Sequence, residues 1–122
     1  MQKIHRTEIN EDESFYPQAR LQSFKGEIVT PQTIQAISYR VFDCGTEVAD
    51  GSLVVTECIF PTLQRDDSWT KDGIGYNFLG EIPGSAFPAG NKIYRVEIRV
   101  TPYQGNFLTL MYDVTTVEQR GS

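Results

Sequence analysis

Tyr94-Arg95-Val96-Glu97-Ile98-Arg99-Val100 alternates apolar and charged residues across seven positions. Successive side chains of a strand leave opposite faces, so this period of two predicts a half-buried strand. Tyr94, Val96, Ile98 and Val100 would face a core, and Arg95, Glu97 and Arg99 a solvated surface of mixed charge. The turn-rich segment Thr101-Pro102-Tyr103-Gln104-Gly105-Asn106 follows, and a second strand-like run begins at Phe107. The chain therefore closes on a β-hairpin.

The same pattern recurs upstream. Residues 19–24 alternate and predict a first strand, ended by Lys25-Gly26. Pro31 biases Thr30 toward extended backbone, and a good strand follows over 33–43, with Ile37, Tyr39 and Val41 on one face. Asp43-Cys44-Gly45-Thr46 reads as a turn. A further turn is expected at Asp50-Gly51, a pair favoured in tight hairpins. Ser52 to Phe60 is apolar on both faces, which predicts a more central strand halted by Pro61. A polar loop around Trp69 leads to a strand from Gly75 or Tyr76 to Ile82, where Gly80 suggests a bulge or a close backbone approach. No apolar stripe runs at helical spacing over three turns, and Ser85-Ala86-Phe87 has room for one helical turn.

Six to seven strands separated by turn signals predict an all-β antiparallel β-sandwich of Ig-like architecture over residues 19–122. A small barrel of the same strand count is the alternative, because pairing order is not visible in the pattern. The cysteine–tryptophan–cysteine spacing of antibody domains is absent, since Trp69 follows both cysteines. Residues 1–18 differ from the rest: polar, charged and without a period. They predict an extended N-terminal arm, with Ile4, Ile9, Phe15 and Tyr16 as apolar anchors for a neighbouring subunit.

Length and charge narrow the function. At 122 residues the chain makes one domain, able to bury roughly two-thirds of its unfolded surface without metal or disulfide. A net charge of −5 disfavours nucleic-acid binding, which depends on basic groups neutralising phosphates, and equally disfavours docking on anionic lipid. The apolar runs are too short for a transmembrane helix, and the N-terminal residues have no apolar core of signal-peptide length. The chain is expected to be cytoplasmic at synthesis, or to reach its destination as part of an assembly. Cys44 and Cys58 make no disulfide framework and are expected as free thiols.

A search for chemistry returns little. The lone histidine, His5, lies in the expected arm, far in sequence from either cysteine. Neither a zinc ligand set nor a nucleophile–base pair follows from that inventory, so no catalytic residue, cofactor or metal site is assigned and no enzyme is expected. The loop Asp66-Asp67-Ser68-Trp69-Thr70-Lys71-Asp72-Gly73 alternates oxygen-bearing side chains, as calcium loops do. Yet Lys71 stands where an EF-hand has glycine and Asn77 where it has glutamate. Trp69, Tyr76 and Tyr103 lie in or near loops, where aromatics serve as hot spots or sugar platforms. Trp69 and Tyr103 join the four arm residues as candidate partner-binding positions.

The segments Ile34 to Asp43, Trp69 to Phe78 and Phe87 to Gly105 resemble small Ig-like β-sandwich proteins of tailed-phage virions, the accessory class of capsids, necks and tails. That resemblance implies a non-enzymatic structural protein of the virion, most naturally capsid decoration or cement. It would bind other virion proteins as a homo-oligomer or lattice-bound subunit. The alternative from the residues is a carbohydrate- or ligand-binding module using Trp69 and Tyr76, with calcium at Asp66, Asp67 and Asp72.

Overall fold

A computed structural model of the chain describes residues 4–23 and 26–118. Among the described residues eight strands, β1 (Ile4–Asn10), β2 (Gln18–Ala19), β3 (Ile34–Asp43), β4 (Thr46–Leu53), β5 (Ile59–Gln64), β6 (Tyr76–Leu79), β7 (Ile93–Pro102) and β8 (Leu108–Val117), form two sheets. The larger has the order β1-β8-β7-β3-β4 and the smaller β2-β6-β5. The protein is thus mostly β, sandwich-like, with one short helix.

The closing hairpin is the centre of the larger sheet, as its alternation predicts. β7 (Ile93–Pro102) pairs antiparallel with β8 (Leu108–Val117) and with β3 (Ile34–Asp43). Tyr94, Val96, Ile98 and Val100 are essentially inaccessible, as are Ile37 and Val41 on β3 and Val114 on β8. Phe78, Ile59, Ile82 and Phe87 meet them from the other layer. Each such apolar side chain removed from water contributes about 1.5–3 kcal/mol. The outer face carries Arg95 paired with Asp113 and Arg40 paired with Glu97. Such exposed pairs contribute at most about 1 kcal/mol each.

β3 turns into β4 (Thr46–Leu53) at Cys44-Gly45. Both turn residues have positive φ, 51° and 85°, as the tightest hairpin loops require. Asp50-Gly51 is not a turn. It lies within β4, with Gly51 opposite Tyr39. A Cβ on Gly51 would stand 2.6 Å from the Tyr39 hydroxyl, so the tyrosine ring fills the space that glycine leaves. The inward positions of β4 are Ala49, Gly51 and Leu53, too small a set to show alternation.

The expected central strand over 52–60 is also corrected. The chain leaves the larger sheet at Leu53, makes one helical turn, α1 (Val55–Cys58), and enters the smaller sheet as β5 (Ile59–Gln64). The two apolar faces of this stretch thus serve two sheets in turn. Pro61 sits inside β5 and is tolerated there because β5 is an edge strand with an irregular register. Its neighbour β6 (Tyr76–Leu79) pairs on its other side with β2 (Gln18–Ala19). A single 3-10 turn occurs at Gly84–Ala86, where one helical turn was expected. Of the first expected strand, β2 and an isolated bridge between Gln22 and Ile28 remain. Phe24 and Lys25 lie outside the described residues.

The extended N-terminal arm is overturned. Residues 4–10 form β1 (Ile4–Asn10), which pairs with β8 in parallel, from Ile4 opposite Met111 to Asn10 opposite Val117. The larger sheet is therefore mixed, not antiparallel throughout. The chain then crosses to the smaller layer. Glu11 N–H donates to the Val117 carbonyl, Asp12 N–H to that of Phe87, and Phe15 and Ile82 exchange both backbone bonds at 2.9 and 2.8 Å. His5, opposite buried Tyr112, packs its ring 5.3 Å from that of Tyr112. Met1 to Lys3, and residues 119–122 at the other end, lie outside the described residues.

Candidate functional site

The end of the sandwich at the β7–β8 loop carries an open groove of about 580 Å³. Its floor is the edge of the core: Val29 and Ile34, both buried, and half-buried Leu108. Its walls are exposed apolar side chains, with Tyr103 66%, Phe107 51% and Ile28 38% accessible. Gln32, Gln104 and Asn106 add amides at the rim, and Glu27 is the charged residue among those lining it.

Local bonding sets these walls. Pro102 ends β7, and Tyr103 N–H donates to the Thr33 carbonyl at 3.1 Å, fixing the loop to the start of β3. Gly105, with φ of 94°, makes the reversal that brings Phe107 back. There Phe107 stacks under the Arg99 guanidinium, 4.2 Å from the ring centre. The opposite wall is a strap formed by residues 21–23 and 26–29, joined by a bond from Ser23 N–H to the Glu27 carbonyl. Buried Asn77 of β6 holds that strap. Its Oδ1 accepts Leu21 N–H at 2.6 Å, and its Nδ2 donates to the carbonyls of Leu21 and Val29 at 3.0 and 2.8 Å. Asn77, which stands at the closing position of the supposed calcium loop, is therefore a structural clamp facing inward.

The acidic loop is organised by its own donors. Asp66 accepts Ser68 N–H, the Ser68 hydroxyl and the Tyr76 hydroxyl. Those bonds, Ser68 first, hold its carboxyl below the usual carboxylate range. Asp72 accepts the Trp69 indole N–H at 3.0 Å, Arg20 at 2.8 Å and the backbone N–H of Ile74 at 2.9 Å. The indole, then Arg20, then that backbone group depress its pKa strongly. Among the described residues no group of three or more His, Cys, Asp and Glu side chains is placed to hold a metal ion.

The six sequence-predicted partner residues are scattered. Ile4 and Ile9 lie half-buried on β1, Ile9 packed against the core. Phe15 is a core residue, edge-on to Phe87 and Tyr112. Tyr16 is 57% exposed. Trp69 is half-buried, its ring 5.6 Å from that of Tyr76, with Lys71 Nζ over the Trp69 ring, 5.3 Å from its centre. Tyr103 alone of the six reaches the groove. Phe107 and Ile28 escape the sequence reading because the first looks like the start of an ordinary strand and the second like part of a short extended connection. The usable signal is that Tyr103 and Phe107 bracket a three-residue polar tip. Cys44 and Cys58 are free thiols, the first exposed and the second buried. No helix among the described residues is long and apolar enough to cross a membrane.

Chemically, the groove can bury apolar surface and hydrogen-bond through amides. Comparison with protein-family models, curated proteins and solved structures finds no match to this chain.

Proposed function

We propose that this protein is a non-enzymatic structural subunit of a tailed-phage virion, a capsid decoration or cement protein before a neck or tail component. The finer architecture, an Ig-like sandwich, belongs to the same proposal. It rests on the resemblance of residues 34–43, 69–78 and 87–105 to that class and agrees with a five-stranded layer facing a three-stranded one. The observation that carries an adhesive role is the groove: Tyr103, Phe107 and Ile28 keep large apolar surfaces in water, while the polar loop around Trp69 is occupied with its own hydrogen bonds. The contact surface therefore moves from the N-terminal residues, which pair with β8, to the β7–β8 end. Burial of apolar area is worth about 25 cal/mol per Å², so one small groove binds weakly. Many copies on a repeating lattice add through avidity.

Density-gradient fractionation of a lysate from the source culture tests this reading. The chain should co-sediment with capsid-sized particles at fixed stoichiometry and appear in a regular array by electron microscopy. Recovery only as a free small protein, in a lysate that contains intact particles, contradicts it.

A further inference from the structure

The groove has features that restrict what fits it. Its volume, about 580 Å³, is in the range that accepts a few side chains or one small molecule. A globular interface needs about 800 Å² from each partner, more than the groove alone presents. Small-molecule sites enclose most of their ligand, whereas here Tyr103 and Phe107 stand more than half exposed. Such exposed aromatics on a pinned frame suit the side-chain anchors of a peptide. Gln32, Gln104 and Asn106 offer amide donors and acceptors that match a peptide main chain. Charge sharpens the choice. Glu27 is exposed and has no ion-pair partner among the described residues. A second copy of a chain of net charge −5 would bring like charge to that carboxylate.

We infer that the groove receives a short extended segment of a partner protein, apolar at its centre and carrying a lysine or arginine that meets Glu27. This deepens the assembly reading above and rests on it for the partner's identity, though not for the chemistry of the site. Apolar side chains of the segment lie over Val29, Ile34 and Leu108, between the Tyr103 and Phe107 rings. The basic group supplies the charge that selects among apolar segments.

Panning a random dodecapeptide library on the full-length protein tests the inference. The expected peptides share an apolar cluster flanked by Lys or Arg. Tyr103→Ala and Phe107→Ala, both at exposed positions, each weaken them roughly tenfold or more. Glu27→Lys redirects selection to peptides with acidic flanks. No enrichment over the Tyr103→Ala/Phe107→Ala double variant overturns the inference, as do enriched peptides indifferent to Glu27→Lys. Tight anilinonaphthalene sulfonate binding lost in Phe107→Ala, without peptide binding, assigns a small-molecule site instead. A dimer dissociated by Tyr103→Ala assigns the groove to a second copy. Peptide binding by a protein that never enters particles preserves this inference and sinks the virion reading. Particle association undiminished in the double variant does the reverse.

Discussion

Asn77→Ala removes the clamp that holds one wall of the groove. Asn77 is fully buried and makes three hydrogen bonds to the strap. The Leu21 carbonyl keeps a second donor, Val29 N–H at 3.0 Å. The truncation therefore leaves two main-chain groups without partners, Leu21 N–H and the Val29 carbonyl. A buried polar group left unsatisfied costs about 1–3 kcal/mol, so the variant should lose roughly 2–6 kcal/mol. That is a large share of the 5–15 kcal/mol typical of a domain. Equilibrium urea unfolding reads the loss directly, as a lower midpoint at unchanged slope. Asn77→Asp separates hydrogen bonding from lost volume. The introduced carboxylate still accepts Leu21 N–H but faces two carbonyl oxygens in place of donating to them. Its folded pKa must lie above the unfolded value near 3.9. Its stability deficit is therefore smallest in acid and grows as pH rises through the folded pKa. A loss below about 1 kcal/mol for Asn77→Ala would refute the clamp.

Other outcomes follow from the same geometry. Gly51→Val should destabilise by about 1–3 kcal/mol, because its side chain enters the space of the Tyr39 ring; differential scanning calorimetry reads the shift. Deleting residues 1–10 should lower the melting temperature and promote self-association, since it uncovers the β8 edge; light scattering against concentration measures it. Asp72 has a depressed folded pKa, so its contribution is complete above about pH 4 and is lost as pH falls through the folded value. Asp72→Asn should therefore flatten the acid limb of the stability profile, followed by circular dichroism. Maleimide should label Cys44 rapidly and Cys58 only on unfolding, since burial pushes the Cys58 thiol up; a mass-spectrometric time course distinguishes the two.

Strands with large apolar residues on one face were legible in the sequence, and others were not, for identifiable reasons. β7 and β3 present tyrosine, valine and isoleucine inward at period two, and both lie where the pattern puts them. β1 offers His5, Thr7 and Ile9 to the core side, and two polar residues in three hide a strand. Its parallel pairing with the far end of the chain has no local signature. β4 is concealed because Tyr39 fills the space over Gly51, leaving an Asp-Gly pair that reads as a turn. Ser52 to Phe60 shows two apolar faces because it crosses between layers, which a period cannot distinguish from central burial. The groove was half legible through Tyr103. Its other wall depends on Asn77 gripping a strap some fifty residues earlier, a contact that only the folded chain reveals.

Carbene footprinting of the native assembly, compared with the free protein, tests the docking role of the groove most directly. Tyr103, Phe107 and Ile28 should be labelled strongly in the free protein and protected in the assembly, while exposed Val48 on β4 stays labelled in both. Equal labelling of the three groove residues in both states, with protection elsewhere on the molecule, would contradict the account.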